Sequence, residues 1–380
     1  MPSGGSGELI WQGGQVHILV VNVGSSSVKL RLVDDADEVV ATRDLPQLGG
    51  SDLAHAIGTF LDEIPVVDAV GHRVVHGGPD FTEPLVLDAR SDVDLEALSD
   101  LAPLHNPPSL AGIHAIGSLR PSLPQVACFD TSFHAHMPAR AATYAVPKGW
   151  RKDWGIRRYG FHGLSHDWAS RRAGTIVGRP REQLRLVTAH LGAGASLAAV
   201  AFGRSVDTTM GFTPIEGLVM ATRSGSIDPG ALLWVQRHGG LSAEEVEMAL
   251  EHESGLRGLS GETGDLREVT ALADAGNAAA QLAYDVYVYR IQTHVGAMSA
   301  AMNGIDGLIF TGGAGEASAR LRSDVCTGLT FLGVRLDESS NWAVDGDRFV
   351  SAFGQSPAVL VVHAREDLEI ARAVRGLVGS

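Results

Sequence analysis

The stretch ILVVNVGSSSVKLRL, residues 18–32, joins an apolar strand to an alternating one through a turn of one glycine and three serines. Small hydroxyls and a lysine beside a tight glycine turn suit a phosphate group. A P-loop is excluded, because G-x-x-x-x-G-K-[ST] opening a helix is absent here in both spacing and context. The pattern predicts a β-hairpin instead, with its turn at residues 24–26. Gly24 would let the backbone pass close to phosphate, and the hydroxyls of Ser25 and Ser27 would reach its oxygens. Lys29 lies on the same alternating face as these serines.

Other stretches deliver chemistry in the same way, at the ends of apolar strands. VDAVGHRVVHGG (67–78) runs into a polar loop with His72, Arg73 and His76, and QVACFDTSFH (125–134) ends on Asp130. His162 and His166 in HGLSH have the i, i+4 spacing of a zinc pair. They lack the adjacent Glu of H-E-x-x-H and a third ligand, so a structural histidine or a hydrogen-bond donor is the alternative. HLGAGA, from His190 to Ala195, predicts a turn whose backbone N–H groups can cradle phosphate. GGAGE (312–316) follows a strand, but it lacks G-x-G-x-x-G after an N-terminal strand and the ribose-binding acid about 20 residues on, so a Rossmann site is excluded.

These residues need a scaffold, and the chain is large enough to supply one. Its 380 residues suit two domains, each with its own core. With 44% hydrophobic residues, 46 glycines and 16 prolines, the composition is that of a loop-rich α/β enzyme. A formal net charge of -14 argues against nucleic-acid binding. The two cysteines, Cys128 and Cys326, have no metal-site spacing and suit a reducing cytoplasm. The Gly-rich start lacks the basic and apolar regions of a signal peptide and reads as a flexible tail. No apolar run reaches the roughly 18 residues of a membrane span.

One internal echo stands out. Residues 184–210, LRLVTAHLGAGASLAAVAFGRSVDTTM, repeat the strand, glycine turn and strand of the opening. Ser242 and Glu245 predict a capping box on a helix, and residues 274–302 carry a long helical pattern. HNPP (105–108) separates two helical segments. PAVLVVHAREDLEIARAV (357–374) gives a last strand and helix.

The motifs as a set resemble the acetokinase family of short-chain carboxylate kinases, with the actin/sugar-kinase fold. They are NVGSSSVKL, GHRVVHGG, PLHNPPSL, FDTSFH, RRYGFHGLSH, AHLGAGAS, DTTMGFTPIEGLVMATRSGSIDPG, FTGGAGEASARLR and FLGVRLD, in family order over all but the first fifteen or so residues. The resemblance implies an α/β, two-domain actin-like ATPase (ribonuclease H-like) duplicated fold with an interdomain cleft. Residues 1–15 would be the tail, 16–130 plus 367–380 the N-terminal domain, and 131–366 the nucleotide-binding domain. The last helix would return to the first domain. The implied reaction is reversible transfer of the ATP γ-phosphoryl group to acetate, giving acetyl phosphate and ADP. It implies Mg²⁺ (Mn²⁺ as the alternative ion) and a homodimer, with no nucleic-acid or membrane partner.

Residue by residue, the resemblance implies catalytic roles for Arg73, Asp130, His162 and Arg223. The arginines would clamp carboxylate and phosphoryl oxygens, for which a planar guanidinium is suited. Asn22 and Glu366 match the magnesium ligands. Arg73, Val75, Leu104, Phe161 and Pro214 match the substrate site, the last four forming its methyl pocket. The nucleotide would take Lys29, the turn His190, Leu191, Gly192, Ala193 and Gly194, then Asp265, Leu266 and Arg267. Gly313, Ala314, Gly315, Glu316 and Ala317 complete the adenosine pocket. The chain departs from the family at Val23, Ala193, Ser226, Ala317 and Ala364–Arg365; Ala193 removes a side-chain amide near the phosphates. A propionate or other short-chain carboxylate kinase, a sugar kinase of the same superfold and a non-catalytic nucleotide-binding relative are the alternatives.

Overall fold

The computed structural model describes residues 16–24, 27–102, 105–352 and 354–379. The tail, Ser25 and Leu104 lie outside the described residues. Two compact units emerge, one from residues 1–135 and 365–380, the other from 136–364. The boundaries differ from the expected ones by a few residues. The loop after Asp130 stays with the first unit, and so does Glu366, because it begins the helix that packs there.

The first unit holds a six-stranded sheet of β1 (Ile18–Val23), β2 (Ser27–Val33), β3 (Val39–Pro46), β4 (Ala69–Val74), β5 (Leu85–Val86) and β6 (Gln125–Phe129). Its spatial order is β3-β2-β1-β4-β6-β5. β1, β2 and β3 form an antiparallel meander, β1, β4 and β6 run parallel, and β5 is an antiparallel edge. As the opening residues predict, β1 and β2 form a hairpin, closed by Gly24 N–H to Ser27 C=O at 2.9 Å.

Alternation along β1 sends Leu19, Val21 and Val23 into a core with Leu53, Ile57 and Phe60 of the helix Gly50–Glu63. The opposite face receives the last helix, Glu366–Val378. It packs on β4 at Gly71, where a Cβ would meet Ile370 Cγ2 at 2.3 Å and Val374 Cγ2 at 2.8 Å. Only glycine allows that approach, and the approach fixes where the helix begins. The preceding helical segment ends at Leu101, ahead of HNPP, and Pro107 and Pro108 instead lie in the first turn of the next helix, Asn106–Leu119, where their missing N–H groups cost nothing.

The second unit repeats the plan with β7 (Arg185–Leu191), β8 (Ala195–Ala201), β9 (Arg204–Thr208), β10 (Gly307–Thr311), β11 (Arg348–Phe349) and β12 (Ala358–Val361). Its order, β9-β8-β7-β10-β12-β11, matches the first sheet strand for strand, with the same parallel and antiparallel pairings. The long helix Ala278–Ala301 buries Tyr284, Tyr287, Ile291 and Val295, and Ser242 and Glu245 form the expected capping box. Glycine turns at strand ends thus belong to a duplicated α/β sheet. No helix among the described residues is long and apolar enough to cross a membrane.

Candidate active site

In the first unit the polar candidates meet at the carboxyl ends of the parallel strands, where open α/β sheets bind ligands. Register places Val21 of β1 beside His72 of β4, which brings Asn22 next to Arg73. Arg73 donates through Nε to Asp130 Oδ1 at 3.0 Å and through Nη2 to Oδ2 at 2.5 Å, a bidentate pair. Its Nη1 donates to Asn22 Oδ1 at 3.5 Å, and Nε lies 3.7 Å from Glu366 Oε2. Asp130 is 1% exposed and Arg73 18%. Burial disfavours the guanidinium charge, but Asp130 and Glu366 more than offset it, so Arg73 is held firmly protonated. The cation is therefore fixed in direction by Asp130 and flanked by hard oxygen atoms.

Lys29 pairs with Asn22 across the hairpin and is exposed. Ser27 opens β2 on the same alternating face, half-buried, and Val75 follows β4, also half-buried. His72, adjacent to Arg73, points to the opposite face and is buried against Gln125, whose Oε1 lies 2.8 Å from Nε2. It belongs to the core.

In the second unit Phe161 is buried, and His162 follows as the cap of the helix Gly163–Val177. His162 stacks on His190 with ring centroids 4.3 Å apart. Its Nε2 edge lies over Gly194, where a Cβ would come within 3.2 Å of that nitrogen and 3.8 Å of Arg223 Nη1. His162, the glycine turn and Arg223 are thus brought together. Arg223 donates from Nη1 to the Pro214 carbonyl at 3.1 Å, and its Nε lies 3.2 Å from Glu251 Oε2. Burial lowers the Arg223 pKa and raises that of Glu251, while their mutual attraction opposes both shifts. Pro214 is itself buried.

Around the turn Gly192–Gly194, backbone contacts dominate. Gly192 N–H donates to Gly194 C=O at 2.9 Å, and Ala221 N–H donates to Ala193 C=O at 3.1 Å. The helix Gly312–Ala317 begins where Gly312 abuts Leu191, carrying Gly313, Ala314, Gly315, Glu316 and Ala317. The Glu316 carboxylate accepts from Gly312 N–H at 2.8 Å and Ala364 N–H at 2.9 Å, so it latches its own helix rather than pointing outward. Asp265 caps the helix Leu266–Asp274 through Arg267 N–H at 2.8 Å and pairs with the exposed Arg267 side chain, with Leu266 half-buried between them.

Three supports were missed by reading the sequence. Glu251 holds Arg223 from 28 positions away, which no local pattern reveals. Ser196 and Thr188 hydrogen-bond His162 and His166. Part of a signal is local, since Thr188, His190 and Ser196 share one face of an otherwise apolar hairpin, but it does not say which side chains they meet.

Two sheets of identical order, each with its functional groups at the parallel strands' carboxyl ends, define a two-domain actin-like fold. The Acetokinase family model matches residues 51–372. The acetate kinase of Pseudothermotoga lettingae is 42% identical, covering 96% of this chain and 98% of its own. The Porphyromonas gingivalis acetate kinase crystal structure matches with a TM-score of 0.88 at 37% identity, covering 95% of this chain and 99% of that one. A propionate kinase structure from Francisella tularensis matches with a TM-score of 0.89 at 36% identity, covering 95% and 100%. The chain belongs to the acetokinase family, and with it to the ATP-dependent carboxylate kinases.

Proposed function

We propose that this chain is an acetate kinase, transferring the γ-phosphoryl group of ATP reversibly to acetate to give acetyl phosphate and ADP. The observation that carries the reading is Arg73 held bidentately by buried Asp130 beside Asn22 and Glu366, in a chain so similar to acetate kinases. Phosphoryl transfer depends on positioning and charge compensation more than on covalent help. An acetate carboxylate is already ionised at neutral pH, so no general base is required. Asp130 orients Arg73, which binds the carboxylate and the transferring oxygens. Similarity to the family assigns His162 and Arg223 as further donors to the phosphoryl group, and Val75, Leu104, Phe161 and Pro214 to the substrate's methyl group.

The carboxylate of Glu366 and the amide oxygen of Asn22 are hard donors of the type Mg²⁺ or Mn²⁺ takes together with water and phosphate. When bound, the ion would neutralise phosphate charge. The nucleotide reading assigns phosphate to Lys29, Ser25, Ser27 and the turn at Gly192–Gly194, and adenosine to Asp265–Arg267 and Gly313–Ala317. A homodimer is supported by the helix Pro229–Gly239, which leaves Leu233 51% and Trp234 60% exposed. The two cysteines are buried as free thiols, in keeping with a cytoplasmic enzyme.

A hydroxamate assay with ATP and Mg²⁺ across formate, acetate, propionate and butyrate tests this reading. Acetate is expected to give the highest kcat/KM. The Francisella structural relative favours propionate as the second reading, and one methylene is worth only about 1–3 kcal/mol in such a pocket. Absence of acyl phosphate from every acid would overturn both.

A further inference from the structure

A chain of hydrogen bonds runs inward from His162 through the core of the second unit. His162 Nδ1 lies 2.9 Å from Ser196 Oγ, and Ser196 Oγ lies 2.8 Å from His166 Nε2. His166 Nδ1 in turn lies 2.7 Å from Thr188 Oγ1. Ser196, His166 and Thr188 are all 0% exposed, where an unmet hydrogen bond is costly. Beyond Thr188 the next link is the Ala198 carbonyl, 3.5 Å from Thr188 Oγ1.

Counting protons gives this chain a direction. The Ser196 hydroxyl has one proton, two lone pairs and two ring nitrogens as partners; accepting from both rings would leave its buried proton without an acceptor, so it donates to one and accepts from the other. A neutral imidazole likewise has one N–H and one acceptor nitrogen. Two arrangements of neutral rings then satisfy every link and every proton of the chain. In the first, Thr188 donates to His166 Nδ1, His166 Nε2–H donates to Ser196, and Ser196 donates to His162 Nδ1. In the second every bond is reversed, and the Thr188 proton must go to the Ala198 carbonyl. The first places that proton on a 2.7 Å contact and the second on a 3.5 Å one, at the outer limit of a hydrogen bond. The first arrangement wins.

Its consequence appears at the far end. With Nδ1 accepting, His162 carries its single proton on Nε2, the edge that lies over Gly194. His190 stacks on the same ring but has its own anchor, Ser165 Oγ at 2.7 Å from His190 Nδ1. The stacking restrains the ring plane. We propose that Ser196, His166 and Thr188 are positioning residues that fix the tautomer of His162, keeping Nε2–H as a donor to the transferred phosphoryl group. The opposite tautomer would turn a lone pair toward anionic oxygens. The phosphoryl clause rests on the kinase reading; the tautomer does not.

Two-bond ¹⁵N–¹H NMR on the full chain labelled at histidine nitrogens reads the tautomer directly, with His162 assigned by loss of its signals in His162→Gln. The expected result is a protonated Nε2 and an unprotonated Nδ1. A protonated Nδ1 with a bare Nε2 overturns the proposal without reference to turnover. A second arm compares Thr188→Val with Thr188→Ser. The valine variant is expected to mix the two tautomers and lose about tenfold in kcat with both KM values little changed, the signature of a contact made in the transition state. The serine variant, which keeps the hydroxyl, is expected to restore most of the rate. Equal rates in the two variants would overturn the positioning role. Absence of kinase activity in a chain with the expected tautomer would instead count against the functional reading.

Discussion

Where β1, β4 and β6 end, the first unit carries Asn22, Arg73 and Asp130; where β7, β10 and β12 end, the second carries His190, Phe310 and Val362. The strand order is the same in both sheets, and so are the pairings. What differs is the kind of group at these strand ends. The first unit places Arg73 and Asp130 there, charges that have to be paired because they are buried. The second places an imidazole, apolar side chains and closely packed backbone there, and its charged pair, Arg223 and Glu251, comes from outside the strands. One topology therefore supports two arrangements: paired charges at the strand ends in one copy, and a ring with backbone dipoles in the other.

The sharpest way to break this contrast is to remove the first unit's charge. Arg73→Ala is expected to lower kcat by about 10³-fold, the scale of an arginine that stabilises a phosphoryl transition state. It should also destabilise the fold by about 3–5 kcal/mol, because Asp130, 1% exposed, is left without its bidentate partner. The double variant Arg73→Met/Asp130→Leu separates these effects, since it should recover stability but not rate. Kinetics and chemical denaturation on both variants check the pair of outcomes. A rate in Arg73→Ala within tenfold of the native one would remove Arg73 from the chemistry.

Much of the first unit's site was legible because its signals are local. An apolar strand that ends in a charged loop says where its last residues go, and Asn22, Arg73 and Asp130 each sit at such an end. The capping box of Ser242 and Glu245 is local too. The supports of Arg223 and His162 were harder to read for a physical reason. Glu251 reaches Arg223, and Ser196 reaches His162, only after the chain has folded back. The two-residue edge strands Leu85–Val86 and Arg348–Phe349 are too short for any alternation to register. Glu316 shows the same limit: its carboxylate accepts from the backbone N–H groups of Gly312 and Ala364, and the second of these is 48 positions away.

A second test uses the two faces of β4. Arg73 keeps its charge on the site face, while burial pushes His72 on the core face down to about 4, with only the Gln125 hydrogen bond opposing. Below the ordinary value of 6.5 the unfolded chain takes a proton on His72, and the folded chain does so only near 4. Unfolding therefore takes up a proton within that window, and stability falls as pH falls through it. The contribution lost is about 3 kcal/mol, from 1.36 kcal/mol per pKa unit. His72→Gln, which can still hydrogen-bond Gln125 but does not titrate, should flatten denaturation free energy between pH 6.5 and 4 by about that amount. An unchanged slope would mean that the charge difference between the faces of β4 lies in other groups.

The smallest expected effect probes the second unit's reliance on backbone. Gly312 has a φ of +77°, and a Cβ there would lie 2.9 Å from Leu191 O and 3.0 Å from Leu191 N. Gly312→Ala should force the helix Gly312–Ala317 away from the turn Gly192–Gly194, costing about 1–3 kcal/mol of stability. It should raise the KM for ATP about tenfold, or about 1.4 kcal/mol, and leave the carboxylate KM unchanged. Gly313 is the informative neighbour, because nothing lies within 4 Å of its built Cβ. Gly313→Ala should leave stability intact, and if the nucleotide approaches this backbone closely it should still weaken ATP. Loss of ATP affinity in both variants, with loss of stability in only one, would sharpen the contrast between the sheets. A Gly313→Ala variant with native ATP affinity would mean that side chains hold the nucleotide here too, and the second unit would then resemble the first in chemistry as well as in topology.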